Sequence, residues 1–279
     1  MAIFRKLIPA AAPILLLFPS YSASAASLTW MNVQDSVDGY DFGRLGTDSR
    51  FDIRQAAFAE DSDNIYIAYS ANTPINGVPE PRAKAGQVGW GSAFFHSSPN
   101  KSLNEASTKG ELYAFLFTGS NPGVYKNVTA TSVSAEHYGF SSLRTYNDKV
   151  RSIGGTPSLG QFSADDDTYF NQDAPILNAI ASGTRVGDIS LFNELALRNL
   201  GLNFGQYGDV GSQIFGYSVN KSLLPTGEFI FSQFLNCGND GLAFRAEATP
   251  EPLTVGGVLL SVLGGGYWKR RQHKQSRKA

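Results

Sequence analysis

The residues best suited to chemistry in this chain are acids in short runs. Asp35, Asp38 and Asp41 recur every third position, and Asp165, Asp166 and Asp167 are followed closely by Asn171 and Asp173. A hard cation takes oxygen ligands in numbers, so calcium is the one cofactor these groups suggest. Neither group matches an EF-hand loop. Asp35-Ser36-Val37-Asp38-Gly39 has the wrong spacing and no terminal Glu, and Asp166 and Asp167 project in different directions in any regular structure. Each group therefore reads first as a solvated acidic loop. A third feature, Cys237-Gly238-Asn239-Asp240-Gly241, reads as a strand ending in a tight turn, where Gly and Asn accept positive φ and the Asp bonds a nearby amide. Read functionally, Asn239 and Asp240 are polar ligands for a sugar or a cation.

Nothing in the sequence argues for an enzyme. With His96 and His137 as the histidines ahead of the C-terminal tail, the chain lacks His-Glu-x-x-His, Gly-x-Ser-x-Gly, a phosphate-cradling Gly-x-x-x-x-Gly-Lys and a dinucleotide fingerprint. Both histidines read as hydrogen-bonded surface residues, and the expected set of catalytic residues is none. Cys237 is the single cysteine, so no intramolecular disulfide forms and the residue reads as a small buried apolar group.

The elements that must position these residues are mostly strands. Short apolar runs alternate with Asn, Asp, Ser, Gly and Pro clusters, the punctuation of a β-rich domain. Phe51 to Phe58 and Asn64 to Ser70, joined by Glu60-Asp61-Ser62-Asp63, predict a hairpin. Further strands are expected at Val88 to Phe95, Leu112 to Thr118, Val124 to Ser134, Ile214 to Val219 and Glu228 to Asn236. Asp173 can cap a short helix through Ala181, and Asp188 or Ser190 a second through Asn199, which together predict a helical insert over 171–201. Asn72 to Gly86 reads as a long loop, and Ala246-Glu247-Ala248-Thr249 as a short linker. The expected fold is mainly β, a two-sheet antiparallel β-sandwich with one helical insert.

Both ends differ from this body. Arg5 and Lys6, an apolar run from Leu7 to Phe18, and Ala23-Ser24-Ala25 make up a signal peptide over 1–25, cleaved ahead of Ala26. At the other end Pro250-Glu251-Pro252 precedes an apolar stretch, 253–268, and then Lys269, Arg270 and Arg271. As a helix that stretch reaches roughly 24 Å, close to a bilayer core, and the positive-inside rule keeps the basic end cytoplasmic. With both ends set aside, the body over 26–249 carries 15 basic against 23 acidic side chains. That balance repels phosphate backbones and excludes nucleic acid as a partner.

The order Pro-Glu-Pro, apolar span, basic end resembles the tail of PEP-CTERM proteins, the substrates of exosortase. The resemblance extends inward through Gly89-Trp90-Gly91, Ile180-Ala181-Ser182-Gly183-Thr184, Phe215-Gly216-Tyr217-Ser218-Val219 and Cys237-Gly238-Asn239-Asp240-Gly241, which are similar to a family of exosortase-dependent surface proteins known chiefly from cyanobacteria. It implies signal peptidase and exosortase as partners during export. The 250–279 tail would act as a sorting signal cut near Pro250, Glu251 and Pro252, after a stage anchored in the membrane. The final location would be the cell surface or the extracellular space, and the role structural or adhesive. Extracellular polysaccharide is the expected external partner. An alternative function is a carbohydrate-binding module: Phe51 to Phe58 and Asn64 to Tyr69 loosely resemble the opening hairpin of sugar-binding sandwiches related to family 9 modules. Trp30, Trp90, Tyr138 and Tyr146 are then the aromatics available to stack on a sugar.

Overall fold

The computed structural model describes residues 27–98 and 100–250. The expected signal peptide with Ala23, Ala25 and Ala26, the apolar span, and Glu251, Pro252, Lys269, Arg270 and Arg271 lie outside these residues. Among the described residues no helix is long and apolar enough to cross a membrane.

In chain order the strands and helices are β1 (Met31–Gln34), β2 (Tyr40–Asp41), β3 (Arg44–Leu45), β4 (Ile53–Glu60), β5 (Asn64–Ala71), β6 (Val78–Pro79), β7 (Gln87–Val88), β8 (Ala93–His96), α1 (Leu103–Thr108), β9 (Leu112–Leu116) and β10 (Gly123–Thr131). They continue with α2 (Leu143–Ser152), β11 (Ala179–Gly187), β12 (Ser190–Asn193), α3 (Glu194–Asn199), β13 (Gln213–Asn220), β14 (Gly227–Phe234) and β15 (Gly241–Ala248). Two antiparallel sheets dominate, one ordered β1-β4-β5-β13-β12 and the other β11-β10-β9-β8-β14-β15. The chain is thus mainly β, with few and short helices.

The two sheets share one core because aromatic side chains on their facing sides meet. Phe58 of β4 lies 5.4 Å from Phe229 of β14, and Tyr217 of β13 lies 5.9 Å from Phe115 of β9. Each buried ring of this kind contributes about 1.5–3 kcal/mol by leaving water. Successive strand residues point to opposite faces, and here the outer faces are covered too. Ala57 and Ala68 pack outward against Leu197 of α3, Leu202 and Phe204, whereas their neighbours Ala56, Phe58, Ile67 and Tyr69 point into the shared core. On the second sheet Phe94, Ala114, Ile230 and Ala243 pack outward beneath α1, Leu143 of α2 and the aromatics Phe162, Tyr169 and Phe170. With both faces buried, β4 and β5 lose the apolar–polar alternation of a half-exposed sheet.

The hairpin expected over 51–70 is present in register, with Phe58 opposite Ile67 and Ala57 opposite Ala68. Its turn is closed by Asp61, whose Oδ1 accepts from the Asp63 and Asn64 amides at 2.8 and 2.7 Å.

The helical insert expected over 171–201 is not what forms. Asn171, not Asp173, accepts the local amides, and it closes only a turn. The chain then runs as β11 along β10, with Ile180 opposite Ala130 and Thr184 opposite Lys126. β-Branched Ile180, Thr184 and Val186 favour this pairing over helix, and Ser182-Gly183, just past the expected helix end at Ala181, sits within the strand. Helix survives only in α3, capped by Asn193 rather than Asp188 or Ser190. Two further helices carry capping boxes: Ser102 with Glu105 ahead of α1, and Ser142 with Thr145 ahead of α2. Ala246 to Ala248, read as linker, belong to β15, the full-length partner of β14.

Candidate functional site

Asp35, Asp38, Asp52 and Asp240 converge where four pieces of chain meet at one end of the sheets. Asp35 follows β1, Asp38 lies in the loop beyond it, Asp52 opens β4, and Asp240 ends the β14–β15 turn. Backbone bonds hold the pieces together. The Asp35 amide donates to Arg54 O at 2.9 Å, the Tyr40 amide to Asn239 O at 3.1 Å, and Asn239 Nδ2 returns a bond to Tyr40 O at 2.9 Å. Gly39 permits the tightest of these approaches, because a Cβ there would lie 2.3 Å from Phe51 O. Its amide instead donates to Asp52 Oδ1 at 2.9 Å. Between Ile53 and Gln55 the β4–β5 register slips, placing Arg54 in a bulge that adds a residue at the strand start.

The acids are held mainly by backbone amides. Asp240 accepts from the Ile53 amide at 2.5 Å and the Gly241 amide at 2.7 Å, Asp38 Oδ2 from the Ser158 amide at 2.7 Å, and Asp35 Oδ1 from the Gly160 amide at 3.0 Å and from the Ser158 hydroxyl. Tyr146 donates its hydroxyl to the Asp38 carbonyl at 3.0 Å. Three carboxylate oxygens remain without a hydrogen-bond donor although shut off from solvent: Asp35 Oδ2, Asp38 Oδ1 and Asp52 Oδ2. The last of these, Asp52 Oδ2, instead meets the Arg54 guanidinium in an ion pair.

Burial raises every one of these carboxyls. Asp38 is pushed up to about 7 and Asp52 is raised, in both cases chiefly by loss of water. Asp35 and Asp240 stand well above the usual carboxylate range for the same reason, with the Asp38 charge the next cause for each. The site therefore favours either protons or an external cation. Ligand oxygens of Asp35, Asp38 and Asp240 lie within 4.8 Å of one another, the group that could share one ion among the described residues.

The other acids are placed differently. Asp41 leaves the Asp35–Asp38 run to form a two-pronged pair with Arg50, at 2.7 Å through each oxygen. Asp165 pairs with Arg151 at 2.6 Å, Asp166 accepts the Thr168 and Tyr169 amides, Asp167 is exposed, and Asp173 pairs with Arg144. These four are not brought to one point. Asn239 and Asp240 are both buried, with Asn239 turned to the backbone of Tyr40 and Asp240 turned to the cluster.

Of the aromatics considered for sugar stacking, Trp90 and Tyr146 are buried and Trp30 packs edge-on against Tyr66, while Tyr138 is exposed. His96 is not a surface histidine: β8 runs between β9 and β14, the ring is covered by Tyr169, and neither nitrogen has a hydrogen-bond partner. Burial lowers its pKa, which favours the neutral form. His137 bonds the Gln87 carbonyl at 3.1 Å, and Cys237 is buried. Pro250 is exposed beyond β15.

Asp52 is the cluster member that sequence reasoning did not single out. Its signal was present: Asp52 and Arg54 alternate with Phe51 and Ile53 at the start of an apolar strand, which is the spacing of a charge pair on one strand face. The chain matches no family model, and no curated protein or solved structure matches it significantly.

Proposed function

We propose that this chain is an exported surface protein whose body is an antiparallel β-sandwich with a structural or adhesive role, delivered by signal peptidase and an exosortase. The observation that supports this most is where the folded body stops. β1 begins at Met31, five residues after Ala26, and β15 ends at Ala248, two residues before Pro250. Cleavage at either point thus removes no strand from either sheet. Pro250, the first residue of the Pro-Glu-Pro, is exposed, and a proline disfavours helix at the residue before it. The surrounding polysaccharide is the expected partner of the released or retained body, and the membrane holds the precursor through the 253–268 span.

The test is fractionation of the native host with an antibody to the body, comparing the parent with a variant carrying Pro250→Ala, Glu251→Ala and Pro252→Ala. The variant should be exported and inserted but remain uncut in the membrane. If it is processed and released like the parent, Pro-Glu-Pro is not the recognition element and the exosortase reading fails.

A further inference from the structure

We propose that Asp35, Asp38 and Asp240, with Asp52 beside them, form a binding site for one calcium ion. Two independent observations carry this. The first is the convergence of oxygens from segments about two hundred residues apart in sequence, within 4.8 Å of one another. Oxygens that share one calcium ion at about 2.4 Å each can lie no farther apart than that. The second is that one oxygen each of Asp35 and Asp38 lacks a partner, while both oxygens of Asp240 accept backbone amides. Asp38 is fully buried with Oδ1 free, and Asp35 Oδ2 is likewise without a donor, whereas Asp52 Oδ2 meets the Arg54 guanidinium. Native proteins leave few buried polar atoms unpaired, and a bound ion is one of the ordinary reasons. Among the described residues the ion pair in this cluster is Arg54 with Asp52, so a divalent ion would offset charge on Asp35, Asp38 and Asp240 that this pair does not reach.

The groups that already hold the carboxyls are backbone amides and the Ser158 hydroxyl, which fix one oxygen of Asp35 and one of Asp38 while leaving the other free to ligate. A surface cleft lined by Gln34, Asp35, Val37, Arg54, Gln55 and Asp209 reaches Asp35 and gives the ion a way in. Calcium suits the site better than magnesium, because magnesium retains most of its water whereas this centre is built of protein oxygens. An ion here would tie β1, the start of β4, the β14–β15 turn and the 156–160 segment to one point. It would lock the end of the body where both sheets meet.

The experiment uses the full chain, stripped with EDTA and titrated with calcium chloride, with magnesium chloride in parallel. Equilibrium dialysis should find one calcium per chain, with an affinity in the range of extracellular modules, about 10⁻⁴–10⁻³ M. Calcium at a hundred times its dissociation constant should raise the melting temperature by about 5–10 °C. Asp38→Asn and Asp240→Asn should each weaken binding by about tenfold or more, whereas Asp173→Asn, on an exposed ion pair, should bind like the parent. Should both cluster variants fail to fold, terbium replaces calcium in the parent: excitation of Tyr146, which bonds Asp38, should give sensitised emission that Tyr146→Phe abolishes. The proposal is overturned if the stripped parent binds no calcium and melts unchanged at about 10 mM, or if Asp38→Asn and Asp240→Asn bind as the parent does. Absence of sensitised terbium emission from the stripped parent would overturn it equally.

Discussion

Gly139→Ala should be among the most damaging single-methyl changes in this protein. A Cβ at position 139 would lie 1.6 Å from Cys237 O and 2.4 Å from Cys237 C, both backbone atoms that no rotamer change can move. Relief to the 3.0 Å floor for such contacts requires the two backbones to part by at least about 1.4 Å. That movement takes the bond from the Phe140 amide to Cys237 O, now 3.0 Å, out of range. A buried carbonyl stripped of its donor costs about 1–3 kcal/mol, and overpacking adds about 1–3 kcal/mol, giving roughly 2–6 kcal/mol in all. For a body of this length the melting temperature should fall by about 4–24 °C. Because Cys237 begins the turn that ends in Asp240, the calcium response should weaken in the same variant. The control is Gly89→Ala, where the nearest atom to a new Cβ is 3.7 Å away. It should leave stability unchanged or raise it by up to about 1 kcal/mol. Urea denaturation and thermal melts of both variants decide the matter. A Gly139→Ala protein as stable as Gly89→Ala would refute the packing assigned to this loop.

Two further predictions come from titratable groups. Burial pushes the Cys237 thiol up to about 12, so a thiol reagent at pH 8 should leave the native chain untouched and label it fully in denaturant; a dimer band on non-reducing gels would contradict this. Hydrogen bonds from Arg82, foremost, and from Arg50 hold the Glu80 carboxyl down at about 2, so its stabilisation is present above its ordinary 4.5 and is lost as pH falls through about 2. Glu80→Gln should flatten the decline of the urea midpoint across that window, and identical slopes for parent and variant would sink the assignment.

The hairpin over 51–70 could be read from sequence because two local signals agreed: β-branched and aromatic residues in the strands, and acids able to accept amides at the turn. Residues 171–201 misled for the opposite reason. Asp, Ser and Gly mark helix ends, but they also occur in bulged edge strands, and here pairing of β11 with β10 outweighed the local capping signals. Ser102 with Glu105 carries a Ser-x-x-Glu start ahead of a short helix, and the helix after Ser142 buries Leu143, Tyr146, Asn147 and Val150 at helical spacing, so both were legible although neither was expected. In the site, Asp35, Asp38 and Asp240 were each visible as acids in turns. Their convergence was not, since it depends on a sheet order that brings β1, β4 and the β14–β15 turn to one end. Asp41 and the Asp165–Asp173 group show the same limit from the other side. Their spacing resembled a ligand set, but nearby arginines and local amides take up most of their carboxylates.

The central claim is that the body bounded by Ala26 and Pro250 is the form the cell displays. Intact-mass spectrometry of the protein recovered from the surface or medium of its native host tests this most directly. The account predicts a chain that starts at or next to Ala26 and ends close to Pro250-Glu251-Pro252, with the apolar span and Lys269, Arg270 and Arg271 removed. A mass corresponding to a start at Met1, or to a tail retained through Ala279, would contradict it.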